Sequence, residues 1–127
     1  MVCLETMFLI DVLQDARGIR EAIKTLEEPL FIASPSVMEL WIGALRARFP
    51  EKEKSRVSEL LVKFSVLPFN EHSAKEAAEI QFQLSRKGET IGTSDLMIAA
   101  IAIANGEKLV TRDQAFARID KLRMEKY

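Results

Sequence analysis

The stretch Gly92-Thr93-Ser94-Asp95-Leu96-Met97-Ile98-Ala99-Ala100-Ile101-Ala102-Ile103-Ala104-Asn105-Gly106, followed by Glu107-Lys108-Leu109-Val110-Thr111-Arg112-Asp113, decides the fold. From Leu96 to Ala104 it is apolar almost all round, the pattern of a helix buried at the centre of a molecule. Asn105-Gly106 ends that helix, because these two residue types enter the left-handed region at low cost. Lys108 to Val110 then reads as a short strand that runs out into Thr111-Arg112-Asp113. A buried helix feeding a short apolar strand belongs to a helix-covered sheet.

Outward from this segment the same alternation repeats. Met1 to Leu4 is a short apolar run that stops at Glu5-Thr6, and Leu9, Val12, Leu13 and Ala16 then fall at helical spacing. Ile19, Ala22, Ile23 and Leu26 predict a second helix to about Glu28-Pro29, and Leu30 to Ala33 a second strand. Ser34-Pro35 reads as an N-cap followed by a proline at the first helical position. Val37, Leu40, Trp41, Ala44 and Leu45 carry that helix toward Phe49-Pro50, and Val57, Leu60, Leu61 and Phe64 supply its partner in an αα-hairpin. Ser65 to Phe69 is a third strand candidate. Asn70 caps a helix that ends at Gly88, Ala115 to Ile119 is a short helix, and Leu122 to Met124 is a fifth, edge strand. Short strands alternating with helices predict an α/β fold: three layers, α/β/α, around a central parallel sheet of four or five strands.

Composition bounds what such a domain can be. The chain has 127 residues, which predicts a single domain spanning 1–127. With 48% hydrophobic residues, five glycines and four prolines, it is neither disordered nor low-complexity. One cysteine, Cys3, excludes an intramolecular disulfide and a Cys-based zinc site, and one histidine, His72, excludes most His-ligated metal designs. No apolar run approaches the roughly 18 residues that span a bilayer, and no secretory leader opens the sequence, so a cytoplasmic protein without membrane attachment is expected. A net charge of −1 argues against a uniformly basic nucleic-acid binder but leaves local patches open.

In an open parallel sheet ligands bind at the carboxyl ends of the strands. Four acidic residues fall there. Glu5 ends the first strand, Glu39 lies in the second turn of the helix after strand two, Asp95 lies in the first turn of the buried helix, and Asp113 follows strand four. Oxygen donors with almost no histidine suit Mg²⁺ or Mn²⁺, and clustered carboxylates repel one another until a cation joins them. Each also has a plain structural role open to it: loop charge for Glu5, dipole partner for Asp95, solvent-facing residue for Glu39, helix cap for Asp113. Gly43, in the interior of the Glu39 helix, predicts a close approach at that point.

The segments CLETMFLID, SPSVMELWIGA, IGTSDLMIAAIAIANG and KLVTRDQAF resemble, in order, the four acidic motifs of the PIN domain. The compact length resembles the VapC-like toxins of type II toxin–antitoxin systems. The resemblance implies a metal-dependent endoribonuclease that hydrolyses RNA phosphodiester bonds, with Glu5, Glu39, Asp95 and Asp113 at the family's catalytic and Mg²⁺ or Mn²⁺ positions. It implies supporting roles for Thr6 and Thr111, a homodimer, and a cognate antitoxin as protein partner. Arg86 and Arg112 flank the rim in sequence and are candidate RNA contacts. The first motif departs from the family, which usually shows Asp-Thr-Asn or Asp-Thr-Ser where this chain has Glu5-Thr6-Met7. That departure supports an alternative: a PIN-fold module of weakened or lost activity that binds RNA or a protein partner.

A receiver-like signalling domain also gathers acids at strand ends, but it needs a phosphoacceptor Asp after strand three, where Val66-Leu67-Pro68-Phe69 stands. Asp11 matches a residue frequent in the family these motifs resemble but is assigned to the polar face of the first helix, His72 to the surface, Cys3 to the core. Trp41, Leu45 and Phe49, with Leu60, Leu61 and Phe64, are assigned to hairpin core, some of them alternatively to an apolar partner groove.

Overall fold

The computed structural model describes residues 2–127; Met1, placed by sequence in the first strand, lies outside the described residues. Strands are β1 (Val2–Leu4), β2 (Leu30–Ala33), β3 (Ser65–Leu67), β4 (Lys108–Val110) and β5 (Met124–Glu125). Helices are α1 (Thr6–Leu13), α2 (Ile19–Lys24), α3 (Ser34–Leu45), α4 (Pro50–Leu61), α5 (Glu71–Arg86) and α6 (Thr93–Ala104), with a 3₁₀ helix at Gln114–Arg118. The described strands form one sheet in the order β3-β2-β1-β4-β5, every neighbouring pair parallel. Register aligns Leu4 with Ile32 and Val110, Ala33 with Leu67, and Val110 with Glu125. All the carboxyl ends therefore lie along one edge.

Alternation along the strands sends successive side chains to opposite faces. Cys3, Ala33 and Leu109 join α5 and α6 in one core that includes Ile80, Leu84 and Ile98 to Ala102. Val2, Leu4, Ile32 and Val110 join Phe8, Leu9, Leu40, Ala44, Val57 and Leu60 in the other. These are the three layers expected from sequence. Residues 98–102 of α6 are all buried, which explains a helix with no polar face. Gly106, at φ 65°, turns the chain out of α6 so that the Glu107 N–H reaches Ala102 O at 2.9 Å. Asn70 and Ser73 form a reciprocal capping box at the start of α5.

Several boundaries differ from the sequence reading. The second helix stops at Lys24, before Glu28-Pro29. Ala33 is the N-cap of α3, and Ser34 and Pro35 already lie in its first turn, so Ser34 makes no capping bond. The third strand ends at Leu67, because Pro68 has no N–H for the ladder. The edge strand lies at Met124–Glu125 rather than Leu122 to Met124, and the short helix after strand four is 3₁₀. Gly43 has nothing within 4 Å of a would-be Cβ, so no close approach explains it. Trp41, Leu45 and Phe49 are 37%, 51% and 63% exposed, not hairpin core, because Leu40 and Ala44 take the buried side of α3. Together with Met38 and Ile42 they line an apolar outer stripe.

Candidate active site

Glu5 leaves β1 with its N–H bonded to Val110 O at 3.1 Å, so the parallel pairing carries it to the rim. There it caps α1, its Oε2 accepting the Met7 N–H at 3.1 Å and the Thr111 hydroxyl at 3.2 Å. Thr111, fully buried, in turn accepts the Asp113 N–H at 3.0 Å. Asp113 Oδ1 accepts the Ala115 N–H at 2.9 Å and so caps the 3₁₀ helix, as its plain structural role anticipates, while Oδ2 is left for other partners. One short turn thus couples two of the four acids through a single hydroxyl.

The third acid arrives from α3. Thr6, in the first turn of α1, donates its hydroxyl to Glu39 Oε1 at 2.7 Å. Its oxygen lies 2.9 Å from the hydroxyl of Ser36, which is fully buried one turn before Glu39. Since the Thr6 proton is directed to Glu39, Ser36 is the donor in that second bond. In sequence Ser36 stands out only as a small neighbour of Glu39; the three-residue spacing between them is the signal that could have found it.

Asp95, in the first turn of α6, completes the set. Burial raises its pKa above the ordinary carboxylate value, and the negative charges of Glu39 and Asp113 raise it further. Glu5, 3% exposed, is raised to about 7, first by burial. The Met7 and Thr111 hydrogen bonds oppose that shift, and the charges of Asp95 and Glu39 add to it. The charges of Glu39 and Asp113 acting on Asp95, and of Asp95 and Glu39 acting on Glu5, put the four groups within electrostatic reach of one another. Among the described residues none of them has a Lys or Arg at ion-pair distance.

The oxygens are neighbours but do not converge on a point. Among the described residues no three of the His, Cys, Asp or Glu side chains stand in cation-ligand spacing. Glu39 is drawn toward Thr6, and Glu5 toward the α1 amide and Thr111. An all-oxygen donor set without a compensating base nevertheless matches the chemistry of a hard divalent cation.

Family membership follows from the whole chain. The PIN domain model matches residues 2–122. The chain belongs to the PIN domain family. Among curated relatives, this PIN domain is 32% identical over 108 residues to the tRNA(fMet)-specific endonuclease VapC of Salmonella typhimurium, covering 84% of this chain and 82% of that protein. It is 31% identical over 97 residues to ribonuclease VapC2 of Haemophilus influenzae, covering 76% and 74%. In structure it matches a chain of the promoter-bound VapBC2 complex of Rickettsia felis at a TM-score of 0.92 and 26% identity, over 99% and 98% of the two chains. It matches a chain of the DNA-bound VapBC complex of Salmonella typhimurium at a TM-score of 0.91 and 30% identity, with the same coverage.

The remaining candidates lie outside the set of four acids. Arg86, in the last turn of α5, stacks over the Phe82 ring at 5.7 Å. Ion pairs from Arg118 to Glu89 and from Lys87 to Asp120 set that end of α5 beside the 3₁₀ helix that follows Asp113. Arg112 instead reaches Asp11, which is 8% exposed and not on a polar face; there a carboxylate buried under α1 is matched by a guanidinium. His72 is exposed and Cys3 fully buried, as expected, and burial pushes the Cys3 thiol up to about 12, so it is inert.

Proposed function

We propose that this PIN domain is the metal-dependent endoribonuclease toxin of a type II toxin–antitoxin pair. The observation that carries the reading is the gathering of acidic side chains at one sheet edge, with Glu5 and Asp113 joined through the Thr111 hydroxyl and Glu39 held by Thr6, in a chain whose relatives are named VapC ribonucleases. Glu5, Asp95 and Asp113 would hold Mg²⁺ or Mn²⁺, with Glu39 as a further ligand or water-orienting group. When bound, such a cation supplies Lewis-acid stabilisation of the phosphodiester and activation of water.

The chain's own residues do the rest. Thr111 fixes the spacing of Glu5 and Asp113, and the Ser36–Thr6 pair fixes Glu39. The group of acids repels the RNA backbone by itself, so neutralisation of these charges is a condition for substrate approach. Arg86, on the helix end beside the 3₁₀ segment, would contact a phosphate outside the rim. The outer stripe Met38, Trp41, Ile42, Leu45 and Phe49 is the apolar surface for a homodimer partner or an antitoxin, in keeping with relatives solved as VapBC complexes. No described helix is long and apolar enough to cross a membrane, and a ribonuclease of this kind would act on RNA in the cytoplasm.

The test is cleavage of an RNA mixture by the parent and by Asp95→Asn, with Mg²⁺ or Mn²⁺ and with chelator. Cleavage by the parent alone, abolished by chelator, is the expected result. Equal cleavage by Asp95→Asn overturns the assignment, and binding of RNA without cleavage by the parent supports the non-catalytic module suggested by the Glu5-Thr6-Met7 departure.

A further inference from the structure

We propose that Asp11 is a positioning residue for the acidic site, acting by clamping Arg112 on the far side of the turn that carries Thr111 and Asp113. The proposal rests on reading the rim as a hydrolytic centre, and it concerns residues outside the four acids.

Three observations carry it. Asp11 is a buried carboxylate whose side-chain partners meet at one spot: Arg112 Nε donates to Oδ2 at 3.0 Å, Arg112 Nη2 to Oδ1 at 3.3 Å, and the Tyr127 hydroxyl to Oδ2 at 2.6 Å. Two parallel N–H donors on one carboxylate fix direction as well as distance, which a single contact does not. Tyr127 is itself held, its ring edge-on to the fully buried Phe8 with centroids 4.7 Å apart. The clamp is therefore anchored in the core under α1.

The second observation is chain geometry. Thr111 and Arg112 follow β4 directly and lead into Asp113, whose backbone is extended, and their side chains face opposite ways. Thr111 reaches Glu5 on one side and Arg112 reaches Asp11 on the other. The turn is thereby gripped from both sides, by a hydroxyl and by a guanidinium. Third, the Asp113 N–H bonds to that same Thr111 hydroxyl, and its carboxylate caps Ala115, so a rotation of the turn displaces Asp113 and loosens Glu5 together.

The competing role for a half-exposed arginine beside a nuclease site is phosphate contact. Nε and Nη2 are engaged by Asp11, and the Asp11 charge offsets that of the guanidinium. The two roles separate cleanly in kinetics. A positioning residue lowers kcat and leaves KM; a phosphate contact raises KM and lowers the salt slope of RNA binding by about one.

The experiment uses the full chain as parent, Asp11→Asn, Arg112→Lys, Tyr127→Phe and the Asp11→Asn/Arg112→Lys double variant. Hydrogen exchange of the Asp113 and Ala115 amides is read on the protein alone, and kcat and KM are read on an RNA oligonucleotide that the parent cleaves. The expected result is a loss of protection of about tenfold or more at both amides with α5 unchanged. With it go a kcat about tenfold lower at unchanged KM and a double variant no worse than the poorer single one. Tyr127→Phe, which removes one bond of the clamp, falls between. Unaltered protection at the turn, uniform loss of protection in α5 as well, or a raised KM at parental kcat overturns the proposal. If the parent cleaves no RNA, the ribonuclease reading fails while the exchange arm still decides whether Asp11 holds the turn. If Asp11→Asn does not fold, Arg112→Lys, which keeps the charge and loses the fork, gives the same readings.

Discussion

The Thr6 hydroxyl donates to Glu39 Oε1 at 2.7 Å, joining the first turn of α1 to the second turn of α3 across 33 residues of chain. Thr6→Val keeps the shape of the side chain and removes this bond and the one from Ser36. The buried Ser36 hydroxyl is then unpaired, at a cost of about 1–3 kcal/mol. Glu39 is freed to swing, and RNA cleavage should fall by about tenfold or more. Thr6→Ser retains the hydroxyl and should stay close to the parent in both. Urea unfolding beside a cleavage assay checks the pair, and a Thr6→Val protein of parental activity would show that Glu39 needs no support.

Glu5 gives the protein a pH dependence of definite sign. Its folded pKa, about 7, lies above the ordinary 4.5, so between those values the folded protein binds more protons than the unfolded chain. Stability of the cation-free protein therefore decreases as pH rises from about 4.5 to 7, by up to roughly 3 kcal/mol from this group. Asp95, also raised, adds in the same direction. Glu5→Gln should flatten the curve, as measured by urea midpoints at several pH values. A steeper curve in Glu5→Gln than in the parent would trace the dependence to some group other than Glu5.

The same repulsion predicts how a divalent cation acts on the fold. Carboxylates within electrostatic reach of one another, with no Lys or Arg at ion-pair distance among the described residues, gain most from a cation when all are ionised. Mg²⁺ or Mn²⁺ should raise the thermal midpoint more at pH 8 than at pH 5.5, and Asp95→Asn should lose most of that rise. Calorimetric scans with and without metal at the two pH values read it directly.

Glu5 also serves as the N-cap of α1, a position that favours Asp over longer side chains. Glu5→Asp should therefore fold with a stability within about 1 kcal/mol of the parent. Because it restores the residue type usual in the family's first motif, its RNA cleavage should equal or exceed the parent's. A tenfold loss would show that the longer Glu5 side chain is itself required to reach Thr111.

What the sequence makes legible is whatever rests on local pattern. The all-apolar run of Ile98 to Ala102 announces a buried helix, and the Asn70 cap and Gly106 exit lie where their chemistry places them. The positions of Glu5 and Asp113 follow from one rule, because parallel pairing carries every strand end to the same edge, and Asp95 stands at the start of the helix that leads into β4. Asp11 and Tyr127 are not legible: they meet 116 residues apart, and only the folded sheet brings the chain's last residue against α1. Boundaries near Pro68 and at Ser34-Pro35 shift because a proline sets where a strand loses its donors or where a helix has already begun. Helical periodicity locates both faces of α3 but does not say which is covered, and apolarity alone sends Trp41, Leu45 and Phe49 inward when the fold leaves them outside.

The sidedness of α3 can be tested within that one helix. Leu40 is 4% exposed and lies in the core with Ala44, Val57 and Leu60, whereas Leu45 is 51% exposed on the outer stripe. Leu40→Ala should cost about 2–5 kcal/mol, the transfer of the lost methyl groups plus the cavity they leave. Leu45→Ala removes the same atoms where they touch mostly solvent and should cost less than about 1 kcal/mol in the monomer. If Leu45 instead lies within a homodimer interface, its loss should also weaken the dependence of the thermal midpoint on protein concentration. Urea unfolding of both variants at low and high concentration separates these contributions, and a Leu45→Ala cost equal to that of Leu40→Ala at high dilution would return the outer stripe to the core.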